Sequence, residues 1–433
     1  MSNISLLQLP VELLEYILIN LDLVDLRSMM ITCKMFNDII MKNNTIWKTV
    51  CKNRMLIRNS SHNRKPITFT SYNQYRISNY WHSGISRSKL ILRHNTNYMP
   101  WLLYHNSEAL LVSVGSELQC FPTDKNGFPL CKSLLWRLEV PIVKRNDVRT
   151  NDISRFILKD NFMVCGNRDG CAAVYRVDDI KQKPWLLYHI ENCHEGGQTE
   201  VSAVEQLSDS MKLCAITGSI YSSNLCLWHF NHNEHSLCRN EVPGIESIKV
   251  SERVGVRCMA LGNTKRNLAI GLNGNSKPLL LDINVSNLLI NADLTMDTRQ
   301  AIRDINWHDQ NTIILVTHSG KMQLIDIRNN EVVYDAADPF QSTLYCVKSD
   351  GDRALVVGTS EYSRCVLFDI RNQTGHVQMY FTQKKSSPIY SLDFDSSKLI
   401  AAADRSIAVL NFNIHPLTTV RRDYSQKFEL VKR

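Results

Sequence analysis

Cys226, His229, His232, His235 and Cys238 put five potential zinc ligands into one run of thirteen residues. Thiolate and imidazole are the groups that tetrahedral zinc prefers, and four of them must converge on one point. If this run is a strand followed by a loop, Cys226 and Trp228 point to the face opposite His229, and His232 and His235 fall in the outgoing loop. The run also lacks the paired Cys-x-x-Cys spacing of structural zinc sites, so no metal is expected here. Cys193 and His194 are adjacent in sequence, which carries no triad geometry. Gly-x-Ser-x-Gly, His-Glu-x-x-His and Gly-x-x-x-x-Gly-Lys are absent from the chain. The expectation is a protein without catalytic residues, metal or cofactor, in which chemistry is limited to binding.

One binding pattern concerns anions. Arg168, Lys277, Lys321, Arg364 and Arg405 each fall in or beside a turn at the same step of an internal repeat. Arginine grips a phosphate or carboxylate through two parallel hydrogen bonds, so bases gathered on one rim would read an acidic or phosphorylated segment. Turn charges are also commonly just solvated, and Asp169, Glu361 and Asp404 stand in the same turns as local partners. Both readings remain open at the level of sequence.

The repeat that positions these turns shows when one tetrad is aligned: apolar, apolar or aromatic, polar, apolar. Its copies end at Phe121, Val177, Phe230, Ile283, Ile327, Ile370 and Phe412. The steps between successive copies are 56, 53, 53, 44, 43 and 42 residues, and the shorter ones match the roughly 40 to 45 of a four-stranded propeller blade. An apolar strand and a tight turn precede most copies, as Phe162 to Cys165 precedes Asp169-Gly170. A lone hairpin would be marginal, whereas a ring of blades hides its edges and buries the faces of its sheets. The pattern therefore predicts a mainly β fold, a seven-bladed β-propeller closed by a strand near Ser86 to Arg93 beside the final blade. The region resembles the WD-repeat family; no Trp-Asp dipeptide is present, but Asp282, Asp326 and Asp369 hold the Asp position.

Ahead of the repeats lies a short all-helical stretch. A first helix is expected from Pro10, whose fixed φ suits a helix start, with Leu13, Leu14, Ile17, Leu18 and Leu21 on one face. A second run, capped by Asp25, carries Leu26, Met29, Met30, Cys33 and Phe36; a third begins near Thr45 with Trp47. Some 45 residues are too few to bury three such stripes internally. The order Leu9-Pro10, Glu12-Leu13-Leu14, Ile17-Leu18, Leu21, Asp25-Leu26, Cys33-Lys34, Phe36 and Ile46-Trp47-Lys48 resembles the F-box. What that resemblance implies is docking onto a Skp-type adaptor and through it onto cullin and RING subunits. Leu9, Pro10, Leu13, Ile17, Leu21, Leu26, Cys33 and Phe36 would be the adaptor-binding positions. Met99-Pro100-Trp101, Ser342-Thr343-Leu344-Tyr345-Cys346 and Ser387-Pro388-Ile389-Tyr390 add to a resemblance to proteins that combine an F-box with WD repeats.

The expected organisation is an F-box over 1–52, a partly helical linker over 53–84, the propeller over 85–413 and a tail over 414–433. Composition is ordinary for a globular chain of 433 residues, with 44% hydrophobic and 21% charged residues. A net charge of +8 is spread too thinly to require nucleic acid. Thirteen cysteines without a Cys-x-x-Cys pair suit a reducing compartment, cytoplasm or nucleus, and no segment approaches the roughly 18 apolar residues of a membrane span. The resemblance thus implies a substrate receptor of a cullin-RING (SCF-type) ubiquitin ligase, the propeller holding a protein target. The alternative is a non-degradative scaffold that uses the same two surfaces to assemble a complex.

Overall fold

A computed structural model describes residues 6–52, 54–60, 68–94, 99–130, 132–145, 149–208, 212–231, 243–290, 300–381 and 387–414. The N-terminal stretch forms four short helices: α1 (Val11–Ile19), α2 (Leu23–Thr32), α3 (Lys34–Lys42) and α4 (Asn44–Cys51). Pro10 is the residue before α1, not its first turn, with φ −53° and ψ 146°. Asp22, not Asp25, caps α2, its carboxylate accepting the Asp25 N–H at 2.8 Å. The single run expected from Leu26 to Phe36 is broken at Cys33, which is extended at φ −156° and ψ 159°, and this turns α3 away from α2. Asn43 caps α4 by accepting from Ile46 N at 3.0 Å. Leu14, Leu18, Leu26, Phe36, Ile40, Ile46 and Trp47 form the module's own core, and the Trp47 indole N–H donates to Ile40 O at 2.7 Å.

A fifth helix, α5 (Ser71–His82), ties this module to the rest of the chain. Its first turns bring Tyr72 and Tyr75 against Trp47, each with ring centroids 4.9 Å apart. Its last turn places Trp81 flat on Phe412 at 3.7 Å and edge-on to Phe394, with the indole N–H donating to Ser396 O at 2.9 Å. Met55, Ile57, Ile77 and Trp81 are built into the apolar core between the last two blades. Aromatic surfaces packed at both ends of one helix fix the module against the propeller.

The remainder is seven four-stranded antiparallel sheets, spanning 102–139, 153–190, 203–249, 256–290, 302–337, 344–380 and, for the seventh, 389–411 joined by Arg87–Arg93. Every tetrad lies in or runs one residue beyond the third strand of its blade. The closing strand Arg87–Arg93 pairs antiparallel with Ser406–Asn411, completing the seventh sheet from the other end of the chain. Apolar cores fill the space between each pair of neighbouring sheets, the seventh and first included. Carboxylates stitch the inner strands. Glu205 accepts from Leu261 N at 2.8 Å, Asp304 from Val347 N at 3.0 Å and Asp393 from Tyr104 N at 3.0 Å, each across a blade boundary. A hydrogen bond to a buried charge contributes about 1.5–3 kcal/mol, so these bonds hold the ring as well as apolar contact does.

First strands of successive blades lie side by side around the axis. The turns between first and second strands therefore share one end of the ring, and those between second and third strands share the other. The helical module sits on the former: Arg58 N donates to Asp350 and Ser60 N to Phe394 O at 3.1 Å. Among the described residues no helix is long and apolar enough to cross a membrane.

Candidate functional site

On the helical module, the eight residues expected to bind an adaptor divide by burial. Leu13 is 52% and Ile17 41% exposed, and Pro10 is exposed with them. Leu9, Leu21 and Cys33 are half-buried and pack against the module's core. Leu26 at 0% and Phe36 at 6% are enclosed within that core, so they hold the helices together and have no surface to offer a partner. That is a correction to their assignment. Val11 and Tyr16 of α1 and Val24 and Ile31 of α2 are exposed apolar residues as well. Sequence periodicity missed these, because a stripe that faces a partner and a stripe that faces the core have the same spacing.

At the opposite end of the ring, Arg168, Lys277, Lys321, Arg364 and Arg405 do all stand in or at the edge of turns between second and third strands. Lys277, Lys321 and Arg405 are exposed and Arg168 is half-buried. Arg364 is not part of that surface. It is 0% exposed, its guanidinium holding Asp338 through two contacts of 2.8 Å and lying over the Phe340 ring at 4.8 Å. Asp338 in turn accepts from Phe340 N and Ser342 N, so this pair braces the connection that enters the sixth blade. Arg168 lies close enough to Asp152 to oppose the rise that burial imposes on that carboxyl's pKa.

Deeper along the axis from this rim, several long polar side chains stand at the starts of the inner strands, and none of them was singled out from sequence as a ligand group. Arg155, from the second blade, crosses to the fifth, pairing with Asp304 at 3.2 Å, donating to Arg303 O at 3.4 Å and covering the Trp101 ring at 4.2 Å. Arg257, Arg303, Tyr345 and Tyr390 occupy bulged positions at the entrances to the fourth to seventh blades. Arg303 lies over Tyr345 at 5.2 Å, and Tyr345 meets Tyr390 edge-on at 5.2 Å. On the helical-module side of the Arg155–Asp304 pair is a cavity of about 1020 Å³, lined among others by Ser60, Lys159, Glu205 and Trp307.

Of the zinc run, Cys226 lies 3.7 Å from His194 Nδ1, and His229 points the other way, to Glu246 at 3.6 Å. His232, His235 and Cys238 lie outside the described residues. Among the described residues no three His, Cys, Asp or Glu side chains are arranged to hold a metal. His194 is buried beside the short 3-10 turn Glu195–Gly197, and burial lowers its pKa to about 4.

The helical module set on a closed ring of seven blades defines the class. Residues 6–53 match the F-box-like family, and with a propeller behind that module the arrangement is similar to that of F-box/WD-repeat proteins. Within that class it is similar to F-box/WD repeat-containing protein 4 of Mus musculus and of Homo sapiens, 21% identical to each over 343 residues, 78% of this chain and 76% of theirs. The fold is also like that in the crystal structure of Saccharomyces cerevisiae Sqt1, with a TM-score of 0.51 and 13% identity over 70% of this chain and 81% of that one. An F-box implies binding to a Skp-type adaptor in general.

Proposed function

We propose that this protein is the substrate-recognition subunit of an SCF-type E3 ubiquitin ligase and has no catalytic residues of its own. The F-box docks a Skp-type adaptor, and through it cullin and RING subunits; the propeller end away from the F-box holds the target protein. The observation that carries the reading is the apolar surface of α1 and α2, Val11, Leu13, Tyr16, Ile17, Val24 and Ile31, left exposed on a module that already has a complete core of its own. Patches of this kind mark protein interfaces. The packed α5 supports it further, because a rigid connection sets a fixed distance between a docked ligase and a bound target. The exposed bases Lys277, Lys321 and Arg405, with Arg168, belong to the target-facing rim in this reading. The eleven cysteines of the described residues carry free thiols, which suits work in the cytoplasm or nucleus.

The test is affinity purification of the full chain from cells with and without a blocked proteasome. Adaptor and cullin in both samples, and ubiquitinated companions that accumulate only on blocking, are expected. Companions whose amount and ubiquitination do not change on blocking would instead fit the non-degradative scaffold.

A further inference from the structure

We propose that the exposed side of α1 and α2 is covered, until an adaptor arrives, by the chain's own C-terminal segment, whose apolar and basic residues from Val420 to Arg433 compete for that surface. The inference rests on the reading that the adaptor docks on α1 and α2.

The surface asks for an occupant of particular chemistry. On α1, Glu12, Leu13, Tyr16 and Ile17 share one side by helical spacing, and all four are exposed. On α2, Val24 at 67% and Ile31 at 86% exposure stand two turns apart on one face. Apolar side chains left this open to water favour a cover. The charges among them have one sign. Val11 to Thr32 includes Glu12, Glu15, Asp22 and Asp25 against the single base Arg27, and among the described residues none of the four carboxylates is ion-paired. Arg27 is turned toward α5, its Nη2 donating to the Tyr75 hydroxyl at 3.1 Å. A segment that is both apolar and basic fits this surface, and an acidic one does not.

The chain holds such a segment, and the fold releases it beside α2. Residues 415–433 lie outside the described residues; in sequence they carry Arg421, Arg422, Lys427, Lys432 and Arg433 against Asp423 and Glu429. Val420, Tyr424, Phe428 and Val431 recur at the spacing of one helical face, the pattern of a segment that lays an apolar stripe on a partner. The last described residues, Asn413 and Ile414, are held on α5, where Arg76 donates to Ile414 O through Nη1 and to Asn413 Oδ1 through Nη2 at 2.6 Å. Arg76 adjoins Tyr75, the residue that α2 grips through Arg27. Ten residues lead from Ile414 to Tyr424, about 33 Å when extended, enough to span the Arg76, Tyr75 and Arg27 side chains that lie between that exit and α2. Tethering holds the segment at an effective concentration of roughly 1 mM, so an intrinsic affinity of about 0.1 mM is enough to weaken adaptor binding about tenfold.

The test uses the full chain and a purified Skp-type adaptor. Zero-length carbodiimide coupling is applied to a mixture of isotope-labelled and unlabelled protein and read by peptide mass spectrometry. Links from Lys427 or Lys432 to Glu12, Glu15, Asp22 or Asp25 within one copy are expected, and excess adaptor should remove them. Arg421→Glu with Arg422→Glu, and separately Tyr424→Ala with Phe428→Ala, should each raise adaptor affinity about tenfold without moving the melting temperature. Thr418→Ala with Thr419→Ala, in the same segment but outside the basic and apolar residues, should change neither. Links between a labelled and an unlabelled copy would assign the surface to a second copy and overturn the intramolecular cover. No link to α1 or α2, links that persist with adaptor bound, or unchanged adaptor affinity in both variants overturns it as well. A parent chain and variants that all fail to bind adaptor would refute the docking reading alone, and the links then decide the cover.

Discussion

Replacing Leu13 and Ile17 together by alanine separates docking from folding. Both side chains lie on α1, one turn apart, at 52% and 41% exposure, while Leu14 and Leu18 beside them are buried at 2% and 1%. Full burial of an aliphatic side chain contributes about 1.5–3 kcal/mol, so the half still exposed here has about 1 to 1.5 kcal/mol to give on docking. The pair sums to about 2 to 3 kcal/mol, which is about 30- to 150-fold in affinity. The module's core loses only the half already covered, and the propeller loses nothing, because α5 and the blades make their contacts through Trp47 and Trp81. The assay is titration of purified Skp-type adaptor against the full chain, with the melting transition of the propeller read on the same samples. Unchanged adaptor affinity in a well-folded double variant would refute the docking surface. Loss of affinity with Leu14→Ala but not with this pair would mean that the exposed face is not the one used.

Three further outcomes follow from particular contacts. Arg364→Met leaves Asp338 charged and buried, and should cost about 3–5 kcal/mol in chemical denaturation; adding Asp338→Asn, which removes the charge but keeps an acceptor for Phe340 N and Ser342 N, should recover most of it. His194 is held neutral with its pKa lowered from 6.5 to about 4, so between those values the unfolded chain binds a proton that the folded one does not. Stability should therefore fall by about 3 kcal/mol as pH drops from about 6.5 to 4, and His194→Gln should remove that part of the slope in urea midpoints measured at both ends. Ending the chain at residue 372 deletes the partners of Arg87–Arg93 and the Asp393 bond to Tyr104 N; aggregation is expected, and a soluble, sharply melting product would contradict ring closure.

What the sequence disclosed follows from which signals are local. The tetrads were legible because each blade's third strand packs on both faces and keeps its apolar pattern, as Leu367 and Phe368 do. The break at Cys33 was not, since no glycine or proline marks it and Met30, Cys33 and Phe36 continue an unbroken helical spacing. Arg364 was misassigned for a related reason. Its place beside a turn is local, but Asp338, which draws it inside, arrives from the connection before the sixth blade. The axial residues Arg257, Arg303, Tyr345 and Tyr390 carry a local signal of a different kind. Val256-Arg257-Cys258, Ile302-Arg303-Asp304, Leu344-Tyr345-Cys346 and Ile389-Tyr390-Ser391 repeat one pattern at the entrance to successive blades: an apolar residue, a long polar or phenolic one, then a small or acidic one. Third strands carry the apolar pattern that builds the ring, whereas first strands face the axis and carry what a ligand on that axis would meet.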